Sequence, residues 1–210
     1  MVDSTKLKKN IIIYTTTLFI FEIIIMQFVY NSKDFFKTPL SFYAIGDYGF
    51  IISSGLTLIS INYLLLFKNF ISISESNVRL KTGSYLLLLT GISLFFVSVF
   101  HTNIGSEITL RGKIHVIAAH THFIILPVAA IFISTGLKRT FNKTYKKITL
   151  VFSSFCITVG IALGFDEILF IDSVSGMIQK ILIIVILLWI IYSACIVAKV
   201  NSKTELVNIS

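Results

Sequence analysis

The sequence predicts an all-α, polytopic membrane protein: a bundle of six transmembrane helices with both termini in the cytoplasm. Three observations carry that prediction. First, 55% of the 210 residues are hydrophobic, only 13% are charged, and the mean hydropathy is +0.90; an ordinary soluble domain carries about 25% charged residues. Second, the apolar residues fall in six blocks, each long enough to cross a bilayer. Third, the 18 Lys and Arg residues divide thirteen to five between alternate connecting segments. Two prolines and eleven glycines leave no Pro- or Gly-rich linker, so residues 1–210 form a single integral membrane domain.

The spans are predicted at about 11–30, 46–67, 83–100, 114–137, 148–165 and 177–199. A hydrocarbon core of ~30 Å takes ~20 helical residues, and segments in lipid must be helices because only helices satisfy their own backbone groups. The first block follows KLKKN and so has the look of a signal peptide. It is too long for one, contains Glu22, and ends in QFVYNSKD without a small-x-small cleavage site, so it reads as a retained span. Glu22 costs ~2.5–3.5 kcal/mol at mid-span. The twelve Ile, Leu, Phe and Val residues of that block contribute ~4–7 kcal/mol at ~0.3–0.6 each, so the helix inserts despite Glu22.

In the second span Gly46, Gly49, Ser53, Thr57 and Ser60 follow one side at three- and four-residue steps; in the third, Ser84, Gly91 and Ser98 recur at heptad spacing; the fifth has Ser153, Cys156, Gly160 and Gly164, the last two making a Gly-xxx-Gly pair. Helices in lipid gain little by hiding apolar surface from one another, so stripes of small residues predict packing seams. Cys156 and Cys195 lie at different depths of the fifth and sixth spans. They read as small apolar residues rather than a disulfide.

The basic residues fix the orientation. Lys6, Lys8, Lys9, Lys68, Arg79, Lys81, Lys138, Arg139, Lys143, Lys146, Lys147, Lys199 and Lys203 lie on one side, against Lys33, Lys37, Arg111, Lys113 and Lys180 on the other. The positive-inside rule places the termini in the cytoplasm of a protein of the plasma membrane. The net charge of +8 is thereby accounted for by topology, and no nucleic-acid partner is implied.

The outer side then carries six of the ten carboxylates (Asp34, Asp47, Glu107, Asp166, Glu167, Asp172) and all four histidines at or below its surface. The stretch RGKIHVIAAHTHF, residues 111–123, holds His115, His120 and His122. Seven residues is almost two helical turns, so His115 and His122 share a face, separated by ~10 Å along the axis, while His120 points about 140° away. Ala118 and Ala119 lie between the two and leave room for a polar cavity opening outward. Histidines can also serve as interhelical glue, but ionisable residues inside a membrane point to function by default. Glu22 lies at a depth similar to that of His122. It is expected either to pair with His122 or to be protonated and bonded to a neighbouring Ser or Thr. The segment DEILFIDS, 166–173, is expected to lie along the outer interface and to lid the cavity, with Asp166 or Glu167 facing Arg111.

The stretches SFYAIGDYGFIISSGL, GISLFFVSVFHTN and TLRGKIHVIAAHTHFIILPVAA resemble the bacterial and archaeal membrane family called domain of unknown function 998, over roughly residues 10 to 200. The resemblance implies six spans, with Ser41 and Gly46 opening the second, Phe100 closing the third and Gly112-x-x-His115 opening the fourth. In the family an acidic residue often follows the Phe by a few positions. Here His101, Thr102 and Asn103 stand there, so an acid role does not carry over.

Four readings of function follow. In the first, the protein is an enzyme acting on a lipid or other amphiphile at the outer leaflet. His115 is then a general acid or base, since its ordinary pKa lies near operating pH, Asp47 orients it or shares a proton, and His122 assists from below. Arg111 and Lys180 would hold an anionic head group, with Glu22 a further polar contact. A metal variant uses His101 and His115 with a carboxylate, although His-x13-His is no known metal signature. In the second, the same cavity belongs to a non-enzymatic lipid or small-molecule binding or transport protein, with Glu22 and His122 as a proton relay or polar anchor. The third is a b-type haem carrier, for which His122 lacks a histidine partner on another span. The fourth is a structural membrane subunit. The partners implied are membrane lipid and a small amphiphilic ligand. The sequence identifies no cofactor, no oligomeric state and no reaction.

Overall fold

The computed structural model describes residues 4–30, 33–74, 77–102, 109–137, 143–164 and 174–209. Among them lie six long helices: α1 (Ser4–Val29), α2 (Gly49–Ser72), α3 (Val78–Val99), α4 (Leu110–Gly136), α5 (Lys143–Gly164) and α6 (Ser175–Ile209). A short 3-10 helix, Leu40–Ala44, sits between α1 and α2. All six long helices are long and apolar enough to cross a membrane, so the chain is a multi-pass, all-helical membrane protein. Several helices outrun their apolar blocks. The first begins at Ser4 rather than 11 and the last continues to Ile209 rather than 199, because Lys and Leu at the margins favour helix and helical backbone needs no partner at the interface. The predicted lid, 166–173, with Asp166 and Glu167, lies outside the described residues, as does Glu107.

The centre of the bundle is α2–α3–α4, with α3 and α4 the most extensively packed pair. Glycines set the approach. A Cβ on Gly83 would stand 2.8 Å from the backbone nitrogen of Ile133, one on Gly136 2.8 Å from the Leu80 Cα, and one on Gly91 2.9 Å from the Tyr63 Cβ. Any side chain at these positions would drive the helices apart, as expected where small residues form the interface. Polar clasps pin the register. Ser60 donates to the Gly91 carbonyl (2.9 Å) and Thr57 to Ser98 (3.0 Å), joining α2 to α3. Asn77 caps α3 by accepting from the Leu80 N–H and reaches across to donate to the Gly136 carbonyl (2.7 Å) at the end of α4. On the other flank Asn62 of α2 accepts from Thr15 (2.9 Å) and donates to Thr16 (3.0 Å) of α1.

α5 is fastened to α6 through its N-terminal half: Tyr145 shares a hydrogen bond with Ser193 (3.1 Å), Trp189 donates to Thr149 (3.3 Å), and the Trp189 ring stacks on Phe152 with centroids 5.0 Å apart. Cys156 and Cys195 are both free thiols.

The connection between α1 and α2 folds back as a cap over one end of the bundle. Leu40 N–H donates to Gln179 (2.7 Å) and Met177 N–H to the Phe36 carbonyl (2.9 Å), both on α6. The Tyr43 hydroxyl donates to Gln27 of α1 (2.7 Å). Gly46 turns the chain into α2 at φ +110°, a backbone conformation open to glycine and costly for other residues.

Candidate functional site

His115 and His122 are both buried on the bundle-facing side of α4, 5% and 4% exposed, while His120 is exposed. Each ring is oriented by a backbone carbonyl. His115 Nδ1 donates to Phe100 (2.6 Å) and His122 Nδ1 to Thr90 (3.4 Å), both on or just past α3. Because a carbonyl can only accept, Nδ1 carries the proton and the neutral ring presents Nε2 as its acceptor. The Phe100 and Val97 carbonyls around His115 are among those that the end of α3 leaves without helical donors, so His115 also closes that helix.

Two cavities meet at His115. The inner one, about 60 Å3, is a slot running down the bundle from Ser41, Gln179 and His115 under the cap to Tyr63 and His122 at its floor; Phe19, Leu56 and Ile183 are among its apolar walls. The outer one, about 790 Å3, is a groove between α4, α5 and α6. Five polar side chains gather at its capped end, Ser41, Thr102, His115, Ser175 and Gln179, and His120 lies about a turn and a half further along α4. The rest of the lining is apolar, from Val116 and Phe123 on α4 to Cys156, Ile157 and Ile161 on α5. Gly160 lines the groove with no atom within 4 Å of where a Cβ would stand. This corrects the expected packing seam at Gly160 alone, where α5 faces open space rather than a neighbouring helix; Ser153 and Cys156 of the same stripe are buried.

The other predicted site residues are dispersed. Asp47 is exposed on the bend before α2, and Arg111 is exposed at the start of α4; neither is among the described lining residues of either cavity. Lys180 is buried, 4% exposed, and its ammonium donates to the Phe35 (2.6 Å) and Thr38 (2.9 Å) carbonyls while lying over the Phe35 and Tyr43 rings. It fastens the cap to α6. Glu22 faces Gly55 of α2, where a Cβ would collide with its carboxylate, and its Oε2 is buried without a hydrogen-bond partner. Neither the expected pairing with His122 nor a bond to Ser or Thr satisfies that oxygen. His101 is exposed and shares a hydrogen bond with Ser53 (3.3 Å) through Nε2. Among the described residues no group of three or more His, Cys, Asp or Glu side chains could hold a metal ion.

Sequence reasoning passed over Tyr63 and Gln179, and it gave Ser41 a place at the start of the second span but no role in a site. Tyr63 is fully buried, packs edge-on against His122 (centroids 5.6 Å apart), and its hydroxyl has no partner. The available signal was the dipeptide Asn62-Tyr63 within an otherwise apolar span. In the cap, burial pulls the Lys33 ammonium below the ordinary lysine range. Burial pushes the Tyr43 phenol above its own ordinary range, and the Asp34 charge adds to the rise.

No curated protein and no solved structure matches this chain significantly. A family model described as "Protein of unknown function (DUF998)" matches residues 14–196, the stretch that holds all six spans' cores, both buried histidines and the walls of both cavities. The chain therefore belongs to the DUF998 family.

Proposed function

We propose that the protein binds a membrane amphiphile in the groove between α4, α5 and α6, with the head group under the cap at His115 and the chain along the apolar wall toward Cys156. The observation that carries this reading is the uneven polarity of the groove: five polar side chains gather at the capped end, and the rest of the lining, His120 apart, is almost wholly apolar. Its volume of about 790 Å3 falls within the range of small-molecule sites, ~300–1,000 Å3. His115 suits the head group because Phe100 fixes its tautomer and leaves Nε2 to accept from a hydroxyl or ammonium. The capped end faces outward in this reading, since the thirteen-to-five division of basic residues favours cytoplasmic termini in the plasma membrane.

Turnover of the bound amphiphile is the second reading. It is favoured by the same oriented imidazole, which is how a general base is held for proton abstraction. Asp47, Arg111, Lys180 and Glu22 are not assigned to the head-group site in either reading, since none of them is among the described lining residues of either cavity.

Mass spectrometry of lipids co-purifying with wild type, His115→Ala and Gly160→Leu tests the proposal. Both variants are expected to fold and to lose the enriched species. Equal lipid profiles in all three would end it. A change in the mass of that species on incubation with wild type, absent with His115→Ala, would establish turnover. Labelling of an introduced Phe36→Cys by an impermeant maleimide in intact cells is expected, and protection would reverse the orientation.

A further inference from the structure

The floor of the inner slot poses a separate problem. Tyr63 is 0% exposed and His122 4%. The Tyr63 hydroxyl has no hydrogen-bond partner, although it can donate one bond and accept others. Cys156 lies within electrostatic reach of it but forms no hydrogen bond with it. His122 has Nδ1 committed to the Thr90 carbonyl, so its Nε2 is an acceptor in want of a donor. One cavity is thus lined, at one depth, by an unmet donor and an unmet acceptor whose rings touch. In a membrane interior an unmet polar group is costly and water is not at hand from the lipid.

We infer that Tyr63 and His122 form a polar subsite for one neutral hydroxyl, whose oxygen accepts from the Tyr63 O–H and whose own O–H donates to His122 Nε2. The chemistry selects such a group closely. A carboxylate would find no cation there, an ammonium would find no acid, and a carbonyl could satisfy Tyr63 but would leave His122 Nε2 without a donor. The slot as a whole holds about 60 Å3, against ~10–15 Å3 and 2–4 polar partners for one water, and the Tyr63 hydroxyl, closed off from that space in this structure, turns toward it when the subsite is filled. The hydroxyl comes either from a water held in the slot or from an amphiphile that reaches the floor with a hydroxylated segment. The subsite stands on Tyr63 and His122 alone, and it does not depend on what occupies the groove.

Nitrogen-15 spectra of histidine-labelled full-length protein in lipid nanodiscs read the subsite directly. The chain has four histidines, and a His122→Gln variant assigns the relevant pair of resonances. The wild-type His122 Nε2 is expected at the position of a hydrogen-bonded acceptor, and Tyr63→Phe is expected to move it toward the free imine value without raising the melting temperature. A free imine signal in wild type overturns the inference. So does a Nε2 signal unmoved by Tyr63→Phe, and so does a higher melting temperature in that variant, which is the mark of a hydroxyl that was unsatisfied all along. Two arms separate the sources. A hydrogen-bonded Nε2 signal that survives exhaustive delipidation and shifts in D2O identifies water, and one lost on delipidation identifies a lipid hydroxyl; either result upholds the subsite.

Discussion

Gly91 and Gly160 are the same residue in the same kind of apolar helix, each in a stripe of small residues, and they do opposite things. At Gly91 a Cβ would stand 2.9 Å from the Tyr63 Cβ and 3.3 Å from the Ser60 carbonyl; at Gly160 it would meet nothing within 4 Å. The difference comes from what surrounds each glycine. Around Gly91, Ser60 of α2 bonds to the Gly91 carbonyl itself, so the helices are drawn together at that point. α5, by contrast, is fastened to α6 by Tyr145, Thr149 and Phe152, all in its first half. Its second half, with Gly160, stands off from α4 and leaves the groove. A small residue in a membrane helix permits close approach, and a clasp beside it determines whether the approach is made.

The sharpest way to break this comparison is to fill both glycines. Gly91→Leu is expected to destabilise the bundle by about 1–3 kcal/mol or more, the usual cost of overpacking, and to lower the yield of folded protein. Gly160→Leu is expected to leave thermal stability near that of wild type while removing co-purifying lipid. Equal losses of melting temperature in the two variants would mean that the groove closes on α5 in the membrane.

Lys180→Met extends the comparison to the cap. The ammonium holds the Phe35 and Thr38 carbonyls, and hydrogen bonds to a charged group contribute about 1.5–3 kcal/mol each in mutational series. The variant is expected to expose the 33–48 connection to proteolysis, in lipid-free and lipid-bound protein alike. Cleavage confined to the lipid-free protein would instead tie Lys180 to the ligand.

Asn62→Leu tests a clasp with no cavity beside it. It removes both bonds to α1, at Thr15 and Thr16. Side-chain bonds between membrane helices average about 0.6 kcal/mol and reach about 1.7, so a drop of one to two such bonds in an unfolding titration is expected, with the lipid profile unchanged.

Much of the fold was legible because hydropathy and charge report burial in lipid directly. Six apolar blocks became six helices, and the seven-residue spacing of His115 and His122 placed both rings inward with His120 outward. The site was less legible. Lys180 read as a head-group cation because sequence shows a charge near an interface but not the two carbonyls of the 33–48 connection that meet it, since that contact spans about 140 residues of chain. Glu22 admits two readings from sequence, a pair with His122 on equal depth or a protonated carboxyl bonded to a neighbouring Ser or Thr, yet depth leaves the helix face free, and the carboxylate faces Gly55 of α2. Tyr63 went unmarked because a tyrosine in an apolar span is ordinarily a packing residue, and only its unpartnered hydroxyl distinguishes it. Periodicity gives faces and depths. Which faces meet depends on long-range contacts that a single sequence does not encode in any short motif.

The smallest effect concerns pH at the cap. Tyr43 is buried, 1% exposed, its hydroxyl donates to Gln27, and Asp34 lies within electrostatic reach. Burial first, and the Asp34 charge second, hold its phenol above the ordinary tyrosine value, which is about 10. A folded-state pKa above the unfolded one means that between the two the folded chain binds more protons, so stability falls as pH rises. The contribution is fully present below about pH 10 and is lost as pH rises through the folded value. Melting curves of wild type are therefore expected to decline above about pH 10, with a shallower decline in Tyr43→Phe, which keeps the ring between the Lys33 and Lys180 ammonium groups but has no proton to lose. Superimposable alkaline limbs in wild type and Tyr43→Phe would show that the cap opens before Tyr43 ionises, and that the Lys180 clamp rather than the tyrosine limits its stability.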